Sequence, residues 1–328
     1  MPTVVLLLAC ALSASSAHAS APRDALGGSP LPPRRRRMPP ADAPLTADEI
    51  ARVVRRVHAH YPNALREDEF VAQLHAELRS YDGAFEHATL VATSLCCDEV
   101  NRGLEIKLAS RFGGGPFAMG GLAGFPFAGV AGFGAFAHHV PQPGAALVVY
   151  GPHVGVDADG VVGRVHRRGI RASSACCGAA TGALDTVRRA GAKRASDLAA
   201  ERAAPASPLD AQRDLVVQSL LELGAGGETR AAGVLRAPDP SARLPHALFD
   251  AQREAMGRII EASAPANMPS GTLIAVVGGI HINTPFGACD YFLPLVLELR
   301  TSNGVPVRVV TGADLITNRG GGAPTGPL

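Results

Sequence analysis

Apolar residues recur at helical spacing through Ile50, Val53, Val54 and Val57, and the Thr46-x-x-Glu49 capping box ahead of them marks a helix start. That helix is expected to end before Tyr61-Pro62-Asn63. Phe70, Leu74 and Leu78 then repeat at i, i+4, i+8 between charged positions, so the two helices predict an N-terminal packing or dimerisation layer. The pattern changes over residues 87–95 (HATLVATSL), a short apolar, partly β-branched run that predicts a strand. CCDEVNRGLEIKLAS returns to helical spacing, which puts Cys96, Cys97 and Asp98 at a strand-to-helix junction.

The Gly/Phe segment 111–140 shows no periodicity and reads as a long ordered loop, which in a compact domain is usually functional. Residues 145–150 (AALVVY) predict a buried strand broken by Gly151-Pro152, with His153 just past its end. Ser173 and Ser174 are expected to cap a helix through CCGAATGALDTVRRAG, placing Cys176 and Cys177 in its first turn. Helices are expected over 208–223 and 245–262, with strands over 272–277 continuing through 280–282, then over 290–299 and 305–310. Short strands interleaved with helices predict one α/β domain, a mainly parallel sheet flanked by helices whose C-terminal strands run antiparallel. No repeat, Walker A loop or GxGxxG loop interrupts this pattern.

Composition narrows the function classes. The chain has 328 residues, 47% hydrophobic and 18% charged, with net charge +2, so it can bury a large core and is not a disordered chain. Basic residues cluster only at 34–37, so nucleic acid is not an expected partner. Residues 4–12 are apolar but too short to span a bilayer, which takes about 20 residues, and Ala17-His18-Ala19 follows as a cleavage site. Residues 1–19 are therefore expected to be a signal peptide, and 20–45, rich in Ala, Pro, Ser and Arg, a transit-like segment or linker. Together they predict delivery through the secretory route to a plastid, the alternative being a secreted or endomembrane-lumen protein. No other stretch is long and apolar enough to span a membrane. A single domain is expected over 46–315, with a flexible tail over 316–328.

Six cysteines include two adjacent pairs, Cys96-Cys97 and Cys176-Cys177, and loss of a signal peptide would leave an odd number, which suits a disulfide framework poorly. The pairs and His153 fall at strand ends or a helix start, where open α/β sheets place their sites. Two thiolates and an imidazole form a zinc set with one position left for water, whose proton then titrates near neutrality. Cys96 is favoured because it forms Cys-x-Asp, and Cys177 because it precedes Gly178, although spacing leaves the other member of each pair open. Asp98 and Arg102 stand at i, i+4, so Arg102 is expected to hold Asp98 ionised and oriented, either to accept a hydrogen bond from zinc-bound hydroxide or to ligate zinc itself in a resting form. His138-His139 is read as a proton shuttle, a substitute ligand for His153, or a hydrogen-bonded loop pair. His281, inside an apolar strand, is expected to be a satisfied core histidine, and Cys289 structural.

The segments SLCCDEVNR (94–102), GLAGFPFAGVAGFGAFAHHVP (121–141), ALVVYGPHVGV (146–156), SSACCGAA (173–180) and VVGGIHINTPFGACDYFLP (276–294) together resemble the limiting-carbon-dioxide-inducible B/C family, which includes the theta-class carbonic anhydrases. The resemblance implies a fold similar to that of beta-class carbonic anhydrases, a homodimer, and zinc held by Cys96, His153 and Cys177. It also implies that Asp98 and Arg102 stand for the beta-class Asp-Arg dyad. The beta class carries Cys-x-Asp-x-Arg, whereas position 100 here is Val and the nearest arginine is Arg102. The expected activity is reversible hydration of carbon dioxide to bicarbonate in an algal inorganic-carbon-concentrating system, with His139 or solvent releasing the proton. A catalytically silent partner in a carbon-concentrating complex with a related subunit is the alternative. A thiol redox protein is third, because no Cys-x-x-Cys motif is present.

Overall fold

The computed structural model describes residues 44–81, 85, 88–190 and 210–311. The expected signal, transit-like and tail segments at 1–19, 20–45 and 316–328 lie outside the described residues, apart from 44 and 45. In chain order the elements are α1 (Ala47–His60), β1 (Leu65–Arg66), α2 (Glu67–Arg79), β2 (Ala88–Ser94), α3 (Arg102–Phe112), β3 (Phe117–Ala118), α4 (Gly129–His138), β4 (Gly144–Tyr150) and β5 (His153–Gly155). There follow β6 (Arg164–Val165), β7 (Ser174–Ala175), α5 (Gly178–Ala190), α6 (Ala211–Leu221), α7 (Arg230–Leu235), α8 (Pro240–Asn267), β8 (Ile274–Asn283), β9 (Tyr291–Arg300) and β10 (Pro306–Thr311).

The main sheet runs β1-β9-β8-β4-β2-β3, with β10 also on β9 and β5 on β8. β3, β2, β4 and β8 are mutually parallel, while β9 pairs antiparallel with β8, β1 and β10. This is the expected α/β architecture with antiparallel C-terminal strands. Thr46 forms the expected capping box with Glu49. On α2, Phe70, Leu74 and Leu78 join the apolar layer that covers one sheet face. The other face is covered by α4 and α8, which contribute Phe133, Phe136, Met256 and Ile260.

Two expectations change. The Gly/Phe segment contains α4, a helix buried against α8, with Ser263 Oγ donating to Val130 O at 3.1 Å. Its buried face carries Phe133, Gly134, Phe136 and Ala137, while its exposed face is largely Val130, Ala131 and Ala135, so apolar and small residues lie on both sides and the segment shows no 3.6-residue pattern. Ser173 and Ser174 do not cap a helix. Ser174 lies in β7, paired with Val165, and α5 begins only at Gly178, so both cysteines precede it.

β8 runs unbroken through Gly278-Gly279 as a ten-residue strand with a register shift at that pair. β4 stops beside this shift at Gly151, where an added Cβ would lie 1.8 Å from Gly279 O; only glycine allows the two backbones to approach so closely. The chain then resumes on the same strand as β5, with His153 in register with His281.

Candidate metal centre

β2 and β4 end side by side, Ser94 opposite Tyr150, and Cys96 and His153 follow directly beyond those carboxyl ends. Cys177 arrives ahead of α5, its carbonyl accepting the Thr181 N–H at 3.1 Å as that helix starts. All three side chains are buried, and their donor atoms lie within 4.8 Å of one another. The Cys96 and Cys177 sulfurs are 3.8 Å apart. Zinc–sulfur bonds of about 2.3 Å at the tetrahedral angle put two sulfurs about 3.8 Å apart, so the pair is already at zinc spacing.

The imidazole is equally prepared. Asn283 Nδ2 donates to Val100 O at 3.1 Å and to Asp290 Oδ2 at 3.3 Å, which turns its Oδ1 toward His153. That oxygen lies 2.8 Å from His153 Nδ1, assigning the ring proton to Nδ1. Nε2 is left buried with no hydrogen-bond partner. An unsatisfied buried nitrogen costs about 1–3 kcal/mol, a cost that coordination to a metal removes. Cys176 sits at the opposite ring nitrogen, 3.5 Å from His153 Nδ1, and donates to Asn283 Oδ1 at 3.6 Å. It therefore backs the histidine, while Cys177 faces Cys96.

The electrostatics favour a cation here. The Cys96 thiol is pushed up to about 12 by its hydrogen bond to Cys177 and by burial. Cys177 is lowered, first by that same bond and then by the Ala180 and Ala179 amides at the start of α5, against the effect of burial. Burial pulls the His153 imidazole down, but the Cys176 and Cys96 sulfurs outweigh it and raise it overall. Thiolate charge at this point calls for a positive partner, and a divalent ion can replace the proton.

Asp98 stands at the edge of the set, its Oδ2 4.0 Å from His153 Nε2. Its partner is not Arg102. Residues Glu99–Asn101 form a 3-10 turn and Asp98 is itself non-helical, so the i, i+4 relation does not hold. Arg102 instead pairs with Glu105 and donates from Nη2 to Cys96 O at 3.0 Å. The guanidinium on Asp98 is Arg167, from the segment between β6 and β7, with Nη1 2.6 Å from Oδ1 and Nη2 2.8 Å from Oδ2. Burial pushes the Asp98 carboxyl up, but this fork outweighs it and holds Asp98 well below the usual carboxylate range.

His139 also falls elsewhere. It follows α4 on the approach to Gly144, the amino end of β4, whereas the cysteines and His153 gather beyond the carboxyl ends. Seven strand residues, about 3.3 Å each, separate those ends by about 20 Å, too far for direct proton exchange. The Gly/Phe segment does wall the centre. Ala123 and Phe125 share one apolar cluster with Cys96, Cys177, Leu184 and Leu248. At Gly120 an added Cβ would lie 2.1 Å from Leu95 O, so glycine lets this wall lie flush against the end of β2.

The family of limiting CO2-inducible proteins B/C, beta carbonic anhydrases, matches residues 64–301. The chain belongs to this family. The solved structure of PtLCIB4, a homolog of the limiting CO2-inducible protein LCIB, is 39% identical, covers 78% of this chain and 98% of its own, and superposes with a TM-score of 0.67. A single-residue variant of the same protein, 38% identical, gives 0.68. LCIB itself is 21% identical over 77% of this chain and 96% of its own, with a TM-score of 0.56, a likeness of fold. No curated protein matches the chain. Among the described residues no helix is long and apolar enough to cross a membrane.

Proposed function

We propose that this chain is a zinc-dependent carbonic anhydrase interconverting carbon dioxide and bicarbonate, with carbon concentration as its setting. The observation that carries the reading is the convergence of Cys96, His153 and Cys177, two sulfurs 3.8 Å apart facing an unpartnered imidazole nitrogen. Cys96, His153 and Cys177 would hold the zinc, which when bound would supply a water activated near neutrality as the nucleophile for carbon dioxide.

The remaining work falls to the chain. Arg167 keeps Asp98 ionised and fixes both its oxygens, so the carboxylate serves as a hydrogen-bond acceptor that orients the attacking water. Asn283 fixes the His153 tautomer, and Cys176 packs against it. Ala123, Phe125 and Leu248 exclude bulk water and suit a small uncharged substrate. Proton release goes to solvent along the Asp98 side, since His139 lies beyond reach.

Metal analysis paired with stopped-flow hydration tests the reading. The expected result is about one zinc per chain and hydration that Cys96→Ser abolishes. A zinc-loaded chain no faster than Cys96→Ser refutes the activity. The same reading takes the chain as a homodimer, or a hetero-oligomer with a related subunit, delivered to a plastid by the secretory route. Sedimentation and a fluorescent fusion test these points.

A further inference from the structure

Behind the metal centre lies a second buried polar group. Glu67, at the start of α2, is 2% exposed, and His281 and Asn101 are fully buried. Glu67 Oε1 is 2.7 Å from His281 Nε2, and His281 Nδ1 is 2.7 Å from Asn101 Oδ1. Asn101 Nδ2 then donates to Cys96 O at 3.2 Å and Asp98 O at 3.4 Å. An oxygen thus stands at each ring nitrogen of His281, and the Glu67 carboxylate is its charged partner. Lys107 Nζ holds the other Glu67 oxygen at 2.6 Å.

Glu67, His281 and Asp290 also bring a carboxylate, an imidazole and a second carboxylate together. Their donor atoms are already taken. Glu67 carries His281 and Lys107, and Asp290 carries the Thr284 N–H at 2.7 Å and the Asn283 amide. With Lys107 supplying the outer positive charge, the group is a closed network and not a second ion site.

We propose that the Glu67–His281–Asn101 relay is a positioning element that sets the Cys96–Asp98 turn for metal capture. The relay touches no donor atom. It acts through the two carbonyls that Asn101 clamps, and so fixes the direction in which the Cys96 thiolate leaves the backbone. The Glu67 N–H donates to Asp290 O at 3.0 Å, and Asp290 in turn orients Asn283 and thereby His153. The Glu67 side chain thus reaches the backbone of one ligand through His281 and Asn101, while its main chain holds the residue that orients the other. Outer partners of this kind are worth about 10–100-fold in metal affinity. The inference rests on the zinc reading.

The test is zinc affinity by competition with a chromophoric chelator, read beside thermal unfolding of the zinc-free protein. Asn101→Ala removes both clamps and is expected to weaken zinc binding by about 10–100-fold. Glu67→Gln keeps the volume and one hydrogen bond to His281 but removes the countercharge, and is expected to weaken binding by about tenfold in the same direction. It leaves no cavity, and of the two variants the one whose zinc-free form unfolds nearer the wild-type temperature decides the matter. In cobalt-loaded protein, a displaced Cys96 also shifts the visible ligand-field bands. Zinc affinity within twofold of wild type and unshifted cobalt bands overturn the positioning role, even if the unfolding temperature falls. A wild-type chain that holds no zinc overturns both readings, whereas normal wild-type binding with unchanged variants overturns the positioning alone.

Discussion

Replacing Arg167 by Ala separates the structural assignment of the carboxylate's partner from the one spacing suggests. Arg167 makes two charge-assisted hydrogen bonds to Asp98, at 2.6 and 2.8 Å, with the two side chains 16% and 14% exposed. Each such bond is worth about 1.5–3 kcal/mol. A pair between the fully buried and surface limits contributes about 3 kcal/mol in all. If that energy orients and ionises the hydrogen-bond acceptor of the attacking water, its loss corresponds to about a hundredfold drop in kcat/KM. Without Arg167 only Glu99 and His153 still oppose the burial that raises Asp98, so the carboxyl climbs and the acid limb of the pH–rate profile moves to higher pH. Arg167→Lys offers a point charge in place of a fork and should recover roughly a tenth to a third of the rate. Arg102→Ala, which leaves the fork intact, should cost about tenfold or less through the Cys96 carbonyl it supports. Stopped-flow hydration of carbon dioxide across pH measures all three. A larger loss for Arg102→Ala than for Arg167→Ala, or an acid limb unmoved in Arg167→Ala, refutes the assignment.

Three further outcomes follow from the geometry and burial of single side chains. Cys177→Ser should abolish stoichiometric zinc binding, whereas Cys176→Ser, which removes only support for His153, should keep the metal with affinity reduced about tenfold; equilibrium dialysis distinguishes them. His139→Ala should leave hydration within about twofold of wild type, since about 20 Å of sheet intervenes; a pH-dependent collapse of its rate in low buffer would restore it as a shuttle. His246, stacked on Tyr61, is lowered to about 4 chiefly by burial. Its folded value lies below its unfolded one, so the stability it allows is present above about pH 6.5 and is lost as pH falls toward 4, by about 3 kcal/mol. Urea denaturation of wild type and His246→Gln across that range should show the variant's midpoint falling less.

What the sequence makes legible here depends on how far each interaction reaches along the chain. Cys96, Asp98 and the strand before them are neighbours, so alternation, β-branching and Cys-x-Asp together reveal one half of the centre. His153 and Cys177 are readable because each stands at an element boundary marked by glycine or proline. Arg167 is 69 positions from Asp98 and Asn283 is 130 from His153, and no periodicity spans such intervals. The mistaken Arg102 pairing shows the limit from the other side. Spacing of i, i+4 carries meaning only inside an α-helix, and Asp98 lies outside one, ahead of a 3-10 turn.

The same reasoning explains the buried histidines. His153 and His281 are in register on neighbouring strands and both are buried, and the reading of His281 as a satisfied core histidine rests on sequence position alone. Their partners separate them. His281 has an oxygen at each nitrogen and no free lone pair, whereas His153 has Asn283 on one nitrogen and nothing on the other. A buried imidazole becomes a ligand where the fold withholds one hydrogen-bond partner, and that omission is a property of the packed structure which no residue type announces by itself.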